Sequence, residues 1–158
     1  MMELKNQHRI KEKEVEEYSK QMKKKLGASP FKEDEAVDIA DSKEGKVILV
    51  DGEIIATFFD EQVFPTIDGL LQIEPKKGFV TVDMGAVKFV YNGADIMAPG
   101  IVEADENIED GDLVWVRDVE HNKPLAVGRA LTDGTNMIES NKGKVVKNLH
   151  HVGDEKFE

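Results

Sequence analysis

The chain is 158 residues and 17.7 kDa, the size of one domain or two very small ones, and it contains no cysteine. That excludes disulfides, thiolate zinc sites, iron–sulfur ligation and cysteine nucleophiles, and the 40% hydrophobic and 34% charged residues are the balance of a soluble folded chain rather than a disordered one. With 21 basic against 32 acidic residues the net charge is −11, which argues against a large sequence-independent grip on nucleic acid, because such binding needs Lys and Arg to neutralise phosphates.

The charge is unevenly spread. Residues 1–26 carry 8 basic and 5 acidic side chains, residues 27–78 carry 5 and 12, and residues 79–158 carry 8 and 15, so the only basic segment is the first. From Met1 to Ile10 there is no apolar run of the kind a secretory leader needs, and none elsewhere is long enough to span a bilayer. The expected location is cytoplasmic, with no membrane partner. Val15, Tyr18, Met22 and Leu26 recur at spacings of three, four and four, one face of an amphipathic helix, and Gly27 and Pro30 stop it. Lys23, Lys24 and Lys25 fall in its last turn. They either complement the helix dipole or form a secondary basic patch for phosphate, and the sequence leaves both readings open.

Beyond Glu35 the period changes. Val47–Val50 and Glu53–Phe59 read as two strands joined by Asp51-Gly52, a pair suited to a type I′ turn. A segment around Ala36–Ala40 is a candidate third strand. Thr66–Gln72 reads as a short helix, with Pro65 tolerated near its start. This predicts an α+β domain over residues 1–77.

Residues 78–158 are punctuated by glycines, and between them lie Phe79–Val82, Ile101–Ala104, Leu113–Val119, Leu125–Leu131 and Lys144–Leu149. Short apolar runs with turn signals between them predict a small β-barrel or sandwich. One helix interrupts it, with Asp83 as N-cap, apolar Ala86, Val87, Phe89 and Val90, and Asn92-Gly93 as the stop. Pro99-Gly100 suits a type II turn. Gly85 and Lys88 at the helix start admit two readings: free amides and a lysine that take an anion, or a glycine for close packing and a solvated lysine.

Chemistry of an active site is not visible. GxxxxGK[ST], GxGxxG, HExxH and GxSxG are all absent. His8 and His121 are isolated, and His150 and His151 point to opposite faces if they share a strand, so no metal site is expected. The acids of Asp105-Glu106 and Glu109-Asp110-Gly111-Asp112 adjoin turn glycines and read as solvated turns. No catalytic residue and no cofactor is expected.

The run from Val82 to Ile101, followed by Glu109–Val116, Leu125–Ala130 and Gly143–His150, resembles the PUA domain over about residues 78–153, four separated blocks in order. With Asp51–Phe59 and Phe64-Pro65-Thr66 placed after a basic helix, the chain looks like the malignant T-cell-amplified sequence family and its archaeal relatives. The resemblance implies a pre-PUA α+β domain followed by a mainly-β PUA pseudo-barrel. It further implies a non-catalytic protein that binds structured RNA, tRNA or small-subunit rRNA, in translation, with the small ribosomal subunit and an initiation-factor-like protein as partners. By position, its RNA-facing residues would be Met84, Gly85, Lys88, Pro99, Gly100, Ile101, Arg129, Lys144 and Lys147. Lys144 and Lys147 are three apart in a strand and face opposite ways, so at most one would touch the ligand there. A protein–protein adaptor with an acidic surface, or an accessory subunit of an RNA-modifying enzyme, are the alternatives.

Overall fold

A computed structural model describes residues 2–158, and Met1 lies outside the described residues. The chain divides into two compact units, one running to Pro75 and taking in Glu155–Glu158, the other spanning Lys76–Asp154. The first unit contains β1 (Lys5–Arg9), α1 (Glu12–Leu26), β2 (Asp38–Ser42), β3 (Gly45–Val50), β4 (Glu53–Phe59), β5 (Gln62–Pro65) and α2 (Ile67–Leu70). Its strands form one antiparallel sheet in the order β1-β2-β3-β4-β5.

The predicted face of α1 is the one that packs. Met22 and Leu26 are buried, and Val15 and Tyr18 lie against the cluster of Ile39, Ile48, Ile55 and Val63. Gly27 ends the helix in the left-handed region at φ 76°, donating its N–H to the Lys23 carbonyl. Between β3 and β4, Asp51 at φ 50° and Gly52 at φ 79° have the paired positive φ of a type I′ turn. β3 is apolar on both sides because alternate residues enter different clusters, Ile48 and Val50 under α1, Val47 and Leu49 on the opposite face.

Three features depart from the sequence reading. β1 is an added edge strand; all five of its residues are exposed and show no alternation, and Arg9, Gln7 and Asn6 tie it to Asp38 and Asp41 by side-chain hydrogen bonds of 2.7–3.0 Å. β2 begins at Asp38, two residues later than the expected segment. Pro65 belongs to β5, opposite Ala56, and Thr66 caps a helix of only four residues, its hydroxyl accepting from the Gly69 N–H.

The second unit contains β6 (Phe79–Val82), α3 (Met84–Tyr91), β7 (Ile96–Met97), a 3-10 turn (Ala98–Gly100), β8 (Ile101–Ala104), β9 (Leu113–Asp118), β10 (Pro124–Ala130), α4 (Gly134–Glu139) and β11 (Lys144–His151). The sheet order is β7-β11-β10-β9-β6-β8, antiparallel except for the parallel pair β6–β9. It curls around a core that includes Val80, Val82, Val114, Val116, Leu125 and Val146, giving a barrel-like, mainly-β domain that follows the α+β region in the chain. Each predicted apolar run became a strand within two residues of its expected ends. α4 was not read from the sequence; Asp133 caps it, accepting from the Asn136 N–H, and buried Met137 attaches it to the core. No helix among the described residues is long and apolar enough to cross a membrane.

Candidate nucleic-acid interface

The strand–helix–turn passage from β6 to β8 builds a largely apolar cleft of about 780 Å³ between α3, β7 and the Pro99-Gly100 turn. Asp83 starts α3 as predicted, its carboxylate accepting the Ala86 N–H at 2.9 Å. That carboxylate occupies the helix N-terminus, so the free amides of the anion reading are not all free. Gly85 is exposed, and a Cβ there would lie 3.3 Å from the capping Asp83 carboxylate, tighter than ordinary contact, so the glycine leaves room for the cap.

The Pro-Gly turn corrects one expectation. Ala98–Gly100 forms a 3-10 turn, and Gly100 does not take the positive φ that a type II turn demands. Its smallness serves contact instead: a Cβ at Gly100 would lie 3.2 Å from the Ala86 Cβ, so the turn can press against α3.

Of the nine residues carried over by resemblance, Gly85, Pro99, Gly100 and Lys144 line this cleft together. Met84 and Lys88 sit on the exposed flank of α3, with the Lys88 ammonium 5.2 Å from the Phe89 ring centroid. Ile101 is half-buried against the barrel core. Arg129 and Lys147 lie opposite one another on β10 and β11 outside the cleft lining, and the Arg129 guanidinium donates to the Gly111 carbonyl at 2.7 Å. Lys23, Lys24 and Lys25 end α1 in the first unit, where they complement its dipole.

Three cleft residues escaped the sequence reading. Phe89, counted there with the apolar helix face, is 56% exposed, and Met97 is 45% exposed. A helical wheel carries the signal for Phe89: Ala86, Val87 and Val90 cluster on one side, and Phe89 falls about 100° from their centre. Asp95 is the third. It accepts the Asn148 N–H at 2.9 Å and pairs with the Lys144 ammonium at 3.3 Å, while the Asn148 amide donates to the Val90 and Ala94 carbonyls. This network fixes the end of α3 against β11 and engages the one lysine in the cleft. Neighbouring His150 is buried against the Asp154 carboxylate at 2.7 Å, and the His151 ring instead approaches the Val152 carbonyl.

Residues 78–152 match the family model described as PUA domain, and residues 6–73 the model described as Domain of unknown function (DUF1947), the pre-PUA region. The chain is 54% identical over 118 residues to an uncharacterized protein of Methanocaldococcus jannaschii, covering 75% of this chain and 73% of that protein. It is 33% identical over 112 residues to Translation machinery-associated protein 20 of Saccharomyces cerevisiae, covering 66% of this chain and 61% of the yeast protein. A crystal structure of a hypothetical protein from Pyrococcus horikoshii superposes with a TM-score of 0.83 at 36% identity, over 94% of this chain and 96% of that one. It is also 28% identical over 117 residues to the Malignant T-cell-amplified sequence 1 homolog of Dictyostelium discoideum, covering 68% of this chain and 62% of that protein. The chain therefore belongs to the PUA-domain proteins in which a pre-PUA region precedes the PUA domain.

Proposed function

We propose that the protein is a non-catalytic, cytoplasmic RNA-binding protein of translation that holds structured RNA, tRNA or small-subunit rRNA, at the cleft beside α3. The observation that carries this reading is the PUA domain itself with an open, apolar cleft at its helix and Pro-Gly turn. The name of the yeast relative, Translation machinery-associated protein 20, supports the setting in translation. The family resemblance supports the small ribosomal subunit and an initiation-factor-like protein as partners.

The chemistry suits a particular kind of contact. Phe89 offers an exposed ring on which an unpaired base stacks, a contribution of roughly 1–3 kcal/mol per base, and Met97 adds exposed apolar surface in the same cleft. Phosphate contact is assigned to Lys144, whose pairing with Asp95 at 3.3 Å is solvent-exposed, to Lys88 and, further off, to Arg129 and Lys147. Recognition then rests on stacking and RNA shape more than on charge.

Anisotropy titration with a tRNA transcript and a small-subunit rRNA fragment at low salt tests the proposal. Binding should weaken about fivefold or more in Phe89→Ala, and about threefold in Lys88→Glu and Arg129→Glu, with thermal melts showing that each variant is folded. No binding of either RNA, or binding indifferent to all three changes, would sink it. The net charge of −11 favours a second reading, an adaptor for a basic protein. Co-purification before and after nuclease separates the two, since an adaptor keeps its partner when RNA is destroyed.

A further inference from the structure

The sheet of the first unit is apolar on both faces, and α1 packs on one of them. Opposite α1, the buried side chains of Ala40, Val47, Leu49 and Ile54 are covered by single residues from distant parts of the chain, Met2, Leu4 and Phe157. Beside Phe157 this cover leaves an open cleft of about 700 Å³ that reaches Ile54 on one side and Leu71, just after α2, on the other. Leu71 is 59% exposed, an aliphatic wall standing in water above a buried apolar floor.

The rim has one sign of charge. Glu53, Asp68 and Glu158 border the cleft, and no Lys, Arg or His lines it among the described residues. A polyanion is repelled from such a rim, and a purely apolar partner leaves the carboxylates without a counter-charge. A segment that combines a buried apolar side chain with flanking cations satisfies both parts.

We infer that this cleft docks a short basic peptide segment of a protein partner, which inserts one aliphatic or aromatic side chain between Ile54 and Leu71 and sets Lys or Arg against Glu53 and Asp68. The inference does not depend on the RNA-binding reading, because every residue it uses lies in the first unit. The two stand or fall separately.

The test uses the full chain and a synthetic fluorescent peptide with a Leu-Phe pair between two Arg-Lys clusters. Two twins serve as controls, one with Ser-Ser in place of Leu-Phe, the other with Glu in place of every base. The expected result is that the basic apolar peptide binds and both twins bind at least about tenfold more weakly, with amide NMR shifts concentrated at Glu53, Asp68, Leu71 and Gln72. Leu71→Lys should weaken binding about tenfold and Asp68→Lys about threefold, with thermal melts showing that each variant is folded, while Lys88→Glu has no effect. Absence of binding, shifts that map elsewhere, equal binding of the Glu twin, or an RNA oligonucleotide that occupies the same amides and is lost in Leu71→Lys would each overturn the inference.

Discussion

Asp118, at the end of β9, accepts the amide hydrogens of His121 and Lys123 on its two carboxylate oxygens and so closes the turn into β10. Burial pushes its carboxyl up, but those two hydrogen bonds, the charge of His121 and the Glu120 amide together outweigh it, and the group rests below the usual carboxylate range. A folded value below the unfolded one, about 3.9, means that the carboxylate contributes stability above that pH and loses it as pH falls through the folded value. Asp118→Asn should cost about 1–3 kcal/mol at pH 7, because one acceptor oxygen becomes an NH2 facing a backbone N–H and the bond that remains loses its charge. Urea unfolding of both proteins should show the gap narrowing below about pH 4; a gap independent of pH would remove the charge from the explanation. Other single residues resist reading from sequence. Gly128 sits inside β10 rather than at a turn, because a Cβ there would strike the Val146 side chain and lie 2.6 Å from the Lys147 carbonyl oxygen. Nothing local to Leu125–Leu131 announces that neighbour, which β11 brings from elsewhere in the chain.

Among the elements, those written in local pattern were legible. α1 announces itself by its apolar spacing, and β3 and β4 by their apolar runs and the Asp51-Gly52 turn. β1 carries no such pattern: it is an exposed edge strand held by pairing with β2 and by side-chain bonds to Asp38 and Asp41. α4 is too short to show a period, and its place depends on Gly134, where a Cβ would strike the Asp105 carbonyl. α1 also has a weak start. Its N-cap is Lys11, whose side chain makes no capping bond, although Glu12 and Glu14 in the first turn and the three lysines in the last suit the dipole. Lys11→Ser creates a Ser-x-x-Glu capping box with Glu14 and should stabilise the protein by about 0.5–1.5 kcal/mol. A thermal melt should then rise by about 2–4 °C per kcal/mol, and an unchanged midpoint would mean that this end of α1 frays before unfolding.

For the whole molecule, a net charge of −11 bears directly on how RNA could be held. Each phosphate contact contributes roughly 0.7–0.9 to the salt slope of binding, and the cations assigned to phosphate are Lys88, Arg129, Lys144 and Lys147. The slope of log affinity against log salt should be about −3, measured by anisotropy between 50 and 200 mM salt. A slope of about −6 or steeper would require a basic surface beyond the cleft region. Membership of the family was legible because its blocks are contiguous runs of strand, capped helix and turn, which a sequence preserves in order. By itself the sequence determined α1, α3 and the strands written as apolar runs, the caps at Asp83 and Gly27, the I′ turn and the α+β then mainly-β order, because each depends on residues a few positions apart. The tertiary structure alone decided that Gly85, Pro99, Gly100 and Lys144 share a cleft with Phe89, Met97 and Asp95, and that Arg129 and Lys147 lie outside its lining. The physical reason is pairing across long sequence separations: β7 lies on β11, which brings Lys144 opposite Met97 and within reach of Asp95, and no local period encodes that register.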